Sequence, residues 1–250
     1  DHTDDDLADD DSAANSCYAC TGDFVIDDAE ALDELVSCSM IAGDLIVPPG
    51  DWLQALELPC LEFVSSDLTV QDQTSLDSLE LPLLATVGGE VLLDGNPSLT
   101  HLDGLALLAS VGGNLLLYDN PGVTDLDGLA SLETVEGHFM LIAHHGLTSV
   151  EGLACLSSIG GDLGFFNNEG LTSLRGLESL SQLTGGLYIE CHGELASLDG
   201  FPRLTSIGGN FVASHNDSVV VVDGLPMLTA VDGSLTMGDN ASLRSLDGLG

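Results

Sequence analysis

Residues 111–134 read VGGNLLLYDNPGVTDLDGLASLET, and residues 135–158 repeat the pattern as VEGHFMLIAHHGLTSVEGLACLSS. The step is 24 residues, and it persists along the chain. An Asp-Gly pair or a stand-in recurs as Asp103-Gly104, Asp127-Gly128, Glu151-Gly152, Arg175-Gly176, Asp199-Gly200, Asp223-Gly224 and Asp247-Gly248. Apolar positions keep the same step, as in Leu115, Phe139, Leu163, Leu187, Phe211 and Leu235. A glycine column runs unbroken from Gly89 through Gly113, Gly137, Gly161, Gly185 and Gly209 to Gly233. Towards the N-terminus the strand after the glycines recurs more loosely at 67–70, 44–47 and 23–26, giving about ten coils.

A fixed period of this kind means one supersecondary unit stacked on copies of itself. The L-x-L after Gly-Gly reads as a short strand with alternate residues pointing inward. Single leucines at every third position hold the remaining sides, with turns at Gly-Gly and Asp-Gly. No unit can bury its apolar side alone, so coils must stack at about 4.8 Å. The expected fold is mainly β, a right-handed parallel β-solenoid of about ten leucine-filled coils. Aromatic residues are only 4% of the chain, as suits a narrow core filled by Leu and Val.

A polar column runs beside the apolar ones: Asn96, Asn120, His144, Asn168, His192, Asn216 and Asn240. A turn asparagine stacked on its own copies can pair its amide with backbone groups of neighbouring coils. His144 and His192 occupy positions in this structural ladder, and hydrogen bonding is favoured there over a metal or catalytic role.

Composition excludes several functions. The chain has 250 residues, with 41 Asp and Glu against 3 Lys and Arg, for a formal charge of −38. The basic residues are Arg175, Arg203 and Arg244, and there is no lysine. Nucleic acid and anionic lipid are disfavoured, because both are bound through Lys and Arg. With 44% hydrophobic residues the chain is nevertheless no disordered polyacid. The acids read as a solubility coat. Stacked carboxylates such as Asp103 and Asp127 repel by about 1 kcal/mol at about 5 Å even in water. Salt or calcium at these acidic turns is therefore expected to raise the melting temperature, and an unchanged melting temperature refutes this. No D-x-D-x-D-G loop is present, so no specific metal site is expected.

Residues 1–16 hold seven Asp among the first eleven positions and read as a disordered acidic tether, leaving 17–250 as the solenoid. No run of 18 apolar residues, signal peptide or initiating Met is seen, so a mature or excised form is expected. Four of six cysteines (Cys17, Cys20, Cys38, Cys60) precede residue 61, which suggests a stapled cap in an oxidising compartment. Cys17-x-x-Cys20 is also half of a zinc ligand set, though the remaining spacings match no common finger. Cys60 and Cys155 share a column four coils apart, too far to pair. Cys155 and Cys191 are expected as buried thiols. Asp27-Asp28-Ala-Glu30, followed by Leu32, Leu35 and Val36, reads as a short capped helix that covers the first coil.

The stretch from Cys20 to Val47 resembles the start of a receptor L domain, the leucine-rich β-helical module of insulin-receptor-type ectodomains. The matching pieces are Cys20, the strand Phe24–Ile26, Leu32 and Leu35, Cys38, and Ile41-Ala-Gly43-Asp-Leu45-Ile-Val47. The repeats over 17–250 are similar to bacterial and fungal cell-surface relatives of that domain. The resemblance implies a Cys20–Cys38 disulfide, a secreted or envelope-tethered protein, and ligand binding on the broad sheet.

Outward positions on the strands should be polar where a sheet faces water. Here Leu92, Leu116, Tyr118, Met140, Ile142, Phe166, Tyr188 and Val212 form an apolar stripe with His138 at its edge. Such stripes mark interfaces, or surfaces covered by another part of a protein. The expected function is non-enzymatic recognition or adhesion, binding a protein or glycan at the cell surface, with no cofactor. A structural, self-associating stalk is the alternative. A polysaccharide-active enzyme is disfavoured because the outward acids Glu90, Asp94, Asp162 and Glu190 form no close pair: Glu90 and Asp162 lie about 14 Å apart by coil spacing.

Overall fold

The computed structural model describes residues 16–249; the proposed tether, apart from Ser16, lies outside them. All paired strands are parallel. Ten of them form one broad sheet: Phe24–Val25, Leu45–Val47, Leu68–Gln71, Val91–Asp94, Leu115–Tyr118, Phe139–Ile142, Leu163–Phe166, Leu187–Glu190, Phe211–Ser214 and Leu235–Thr236. Each pairs with the strand one coil on, so the chain is a parallel β-solenoid. Ten strands enclose nine steps, so the expected ten coils amount to about nine turns.

From Val91 onward the register is 24 residues without slip, as in Val91↔Leu115↔Phe139↔Leu163↔Leu187↔Phe211↔Leu235. Before that the step shortens to 23 in Leu45↔Leu68↔Val91 and to 21 in Phe24↔Leu45. This explains why the sequence repeat looks looser there. A one-residue deletion in a connecting turn leaves the strand period of two intact, so inward residues stay inward.

A second sheet, not anticipated from the repeat, is built from the dipeptide just before Gly-Gly. Its strands include Thr86–Val87, Ser110–Val111, Thr134–Val135 and Ser158–Ile159. Val87, Val111, Val135 and Ile159 all point inward and are buried. The side leading to Asp-Gly begins as the strands Ala55–Glu57 and Ser78–Glu80 and continues as 3-10 turns at Asp103–Leu105, Asp127–Leu129 and Glu151–Leu153. In the coil opened by Val111, seven side chains (Val111, Leu115, Leu117, Val123, Leu126, Leu129 and Leu132) are all essentially inaccessible. Each contributes about 1.5–3 kcal/mol of burial.

The Asp-Gly turn needs its glycine first for room, and at Gly176 and Gly200 the glycine also takes a positive φ of 118° and 156°. A Cβ on Gly128 would collide with the backbone of Leu102 and Asp103 in the preceding coil, and one on Gly152 with Leu126 and Asp127. Positive φ recurs at the corner after each strand. Asp72, Gly95, Asp119, Ala143, Asn167, Cys191, His215 and Asp239 all adopt it, one per coil. Gly, Asn and Asp tolerate that conformation best. Ala143 and Cys191 do so at a conformational cost.

The N-terminal end is closed as expected. The helix Ala29–Asp33 starts at Asp28, whose Oδ1 accepts the Ala31 N–H at 2.9 Å. Beyond it Leu35 is buried, and Leu32 packs against the core. Cys20 and Cys38 form a disulfide, and Cys17 pairs with Cys60, a partner the sequence left open. Both cysteines of the Cys17-x-x-Cys20 motif are therefore consumed by disulfides. Cys155 and Cys191 correct an expectation: both are free but exposed. Cys155 follows the Glu151–Leu153 turn beside the core-facing column, and Cys191 sits at the left-handed corner, which directs its side chain outward.

Candidate recognition face

Two columns of side chains cover the outer face of the broad sheet. One runs Leu92, Leu116, Met140, Gly164, Tyr188, Val212, and the other Asp94, Tyr118, Ile142, Phe166, Glu190, Ser214. Every apolar residue expected in the stripe is therefore brought onto one surface in consecutive register. These residues are half-buried rather than fully exposed, because they pack on one another. The Phe166 ring and the Met140 sulfur fill the space above Gly164, and the Tyr188 ring fills that above Gly186. Phe166 and Tyr188 stack with centroids 6.2 Å apart and planes 27° apart. Glycines on the strand thus give the aromatic rings a place to lie down.

The edge of the face carries a hydrogen-bonded column that sequence reasoning missed. The Asp67 N–H donates to Asp44 Oδ1, the Glu90 N–H to Asp67 Oδ1 and the His138 N–H to Asn114 Oδ1. The Asp162 N–H donates to His138 Nδ1 at 2.9 Å, and the Gly186 N–H to Asp162 Oδ1 at 2.6 Å. His138 therefore accepts through Nδ1 and holds the edge as an asparagine would. Its exposed ring also lies 3.4 Å from an Asp162 oxygen. The available signal was a short acceptor side chain just before a broad-sheet strand, as at Asp44, Asp67, Asn114, His138, Asp162 and Asn210.

Behind the opposite edge lies the expected ladder. Asn96, Asn120, His144, Asn168, His192 and Asn216 are all buried, and Asn240 partly so. Each asparagine accepts a backbone N–H from the preceding coil through Oδ1 and returns a bond through Nδ2: the Asn96 N–H donates to Asn120 Oδ1, and Asn120 Nδ2 donates to the carbonyls of Leu93 and Tyr118. Gln73 extends the ladder by one rung, unforeseen because its step is 23. Its Nε2 reaches the Pro48 carbonyl, while its buried Oε1 has no partner among the described residues.

The two histidines fill the ladder differently. At His144, Nδ1–H donates to the Ile142 carbonyl at 3.1 Å and Nε2 accepts from Asn120 Nδ2 at 3.4 Å. That pattern requires the neutral ring. Burial, with His145 nearby, outweighs the Ile142 carbonyl and lowers its pKa from 6.5 to about 4. At His192 both ring nitrogens face carbonyls, those of Asn168 and Phe165, and burial again lowers the pKa.

His144 consequently makes the fold acid-sensitive. Its contribution is fully present above the unfolded pKa of 6.5 and is lost as pH falls through the window down to about 4. The loss reaches about 3 kcal/mol below that window. His144→Asn restores the neighbouring ladder pattern. Urea denaturation at pH 7 and pH 4 should show the variant losing less stability than the parent, and equal losses would remove His144 from the account.

The face is flat. Clefts among the described residues lie elsewhere, one beneath the helix against Trp52 and Leu53 and one near His215, Met237 and Asn240. No group of three or more metal-ligating side chains occurs among the described residues, and no described helix is long and apolar enough to cross a membrane. No family model, curated protein or solved structure matches this chain. Electrostatics on the face run one way. Burial, then Asp72 and Asp119, raise the Asp94 carboxyl, and burial, then Glu90 and Asp94, raise the Tyr118 hydroxyl. At the Asp-Gly turns, Arg175 Nε donates to Asp199 Oδ2 at 2.8 Å, and the His101 ring lies 3.6 Å from an Asp103 oxygen.

Proposed function

We propose that this chain is a non-enzymatic recognition or adhesion module of an extracellular or envelope-tethered protein, and that it takes a macromolecular partner on the outer face of its broad sheet. The observation that carries this reading is the registered patch from Leu92 to Val212, apolar where a solvent-facing sheet is ordinarily polar. A flat patch of aromatic and aliphatic side chains suits a macromolecule better than a small ligand, which prefers a concavity. Two disulfides agree with an oxidising compartment. The likeness of the N-terminal stretch to receptor L domains supports the same reading. The four outward acids, spread over five successive coils, offer no close carboxylate pair for glycoside hydrolysis.

Adhesion of the wild-type chain to cell surfaces should be abolished by Tyr118→Asp or Phe166→Asp with the melting temperature retained. Thr172→Asp, on the exposed turn side, should adhere as the parent does. If the two face variants adhere normally, the face is not the recognition surface.

A further inference from the structure

The geometry points to a cationic amphipathic polypeptide segment, apolar along one strip and flanked by Lys or Arg, as the partner that this face takes. The inference rests on the reading of the face as a recognition surface and names the chemistry of its occupant.

Four outward carboxylates stand at the corners of the apolar patch. Glu90 and Asp94 flank the strand of Leu92, while Asp162 stands three coils on and Glu190 four coils on, with Val212 one coil further. In the column Asp94, Tyr118, Ile142, Phe166, Glu190, an apolar run is bracketed by acids four coils apart, about 19 Å at 4.8 Å per coil. Along the edge column Glu90 and Asp162 stand three coils apart, about 14 Å. No Lys or Arg lies on the sheet: the chain has no lysine, and Arg175, Arg203 and Arg244 all fall outside the ten strands. Glu90 and Glu190 accept from neutral groups, Asn114 Nδ2 at 2.7 Å and Ser214 Oγ at 2.9 Å. Beside Asp162 stands the His138 ring, whose Nδ1 is occupied in accepting the Asp162 N–H. These half-buried acids are short of positive charge, and a partner that brings it relieves them as it covers the apolar strip.

Other occupants fit worse. A second copy docked through the same face sets carboxylate against carboxylate, in molecules that each carry −38. Anionic glycans and lipids are repelled in the same way, and a neutral glycan leaves the four acids uncompensated. A helix of about 14 residues spans about 21 Å and matches the bracketed run.

Isothermal titration with two synthetic helices of that length tests the proposal. One presents a Leu stripe flanked by Lys, and the other replaces every Lys with Gln. In the chain, Glu90→Gln, Asp94→Asn, Asp162→Asn and Glu190→Gln combined remove the corner charges while keeping an acceptor oxygen for each edge bond. Asp103→Asn, Asp127→Asn, Asp223→Asn and Asp247→Asn combined make the same charge change on distant turns. The corner variant should weaken the Lys helix by about tenfold or more, and the turn variant by less than about threefold. Equal weakening by the two sets means that only net charge is sensed, and overturns the proposal. If the Gln helix binds as tightly as the Lys helix and Phe166→Asp abolishes it, the cationic partner is wrong while the recognition face stands. If Phe166→Asp changes neither helix, both fall.

Discussion

Gly128→Ala should cost about 3 kcal/mol or more, although it adds a single methyl group to a residue with ordinary backbone angles. The methyl would sit against the backbone of Leu102 and Asp103 in the preceding coil, where no rotamer change can make room. Only separating the coils relieves the overlap, and that breaks ladder bonds and opens the leucine column on both sides. Gly193→Ala is the matched control: a Cβ there meets nothing within 4 Å. It should be neutral or gain up to about 1 kcal/mol by restricting the unfolded chain. Chemical denaturation of the two variants decides the matter, and similar stabilities would show that the Asp-Gly glycine is not required for close coil approach.

Reduction of the two disulfides is the second large effect expected. The bridges close loops of 43 and 18 residues, for which chain entropy gives about 4 and about 3 kcal/mol. The loss should not spread evenly. In a stack where each coil contacts only its neighbours, removing a staple at one end frees that end first. Hydrogen exchange with and without reductant should show amides of residues 18–64 losing protection while those of Leu115–Tyr118 and Phe139–Ile142 keep theirs. Uniform loss along the chain, or none, would contradict an end staple.

Much of this architecture is legible in the sequence because each coil repeats the constraint of the one before. The inward Leu-x-Leu, the Gly-Gly column and the Asn ladder each recur at a step of 24, and so survive single departures such as His144. What escaped notice was carried by residue types with two readings. Thr134-Val135 is too short to look like a strand alone, yet its neighbours at 110–111 and 158–159 make it one. Asp119 and Asn167 look like ordinary turn residues, and only the positive φ shared with Ala143 and Cys191 marks them as one conformational column. From sequence, His138 reads as the edge of the apolar stripe and Glu90 and Asp162 as outward acids, with no bond between coils expected of them. In space, Asp44, Asp67, Asn114, His138 and Asp162 accept backbone N–H groups along the sheet edge, and Glu90 takes the Asn114 side-chain amide. Cys155 and Cys191, expected inside, are exposed: Cys155 stands one position before the buried Leu156, and Cys191 sits at the left-handed corner one position before the buried His192.

The uninterrupted 24-residue register beyond Val91 gives the molecule the properties of a measuring rod. Every coil there keeps the same strand register, a left-handed corner and an Asn or His at the same ladder position, so one coil can stand in for its neighbour at both joints. Duplicating residues 135–158 in tandem should lengthen the rod by one increment of about 4.8 Å. Deleting them should shorten it equally, with the ends of the molecule untouched. Reach can therefore be changed in whole steps by duplication or loss of a short stretch of coding sequence, without redesign of either terminus.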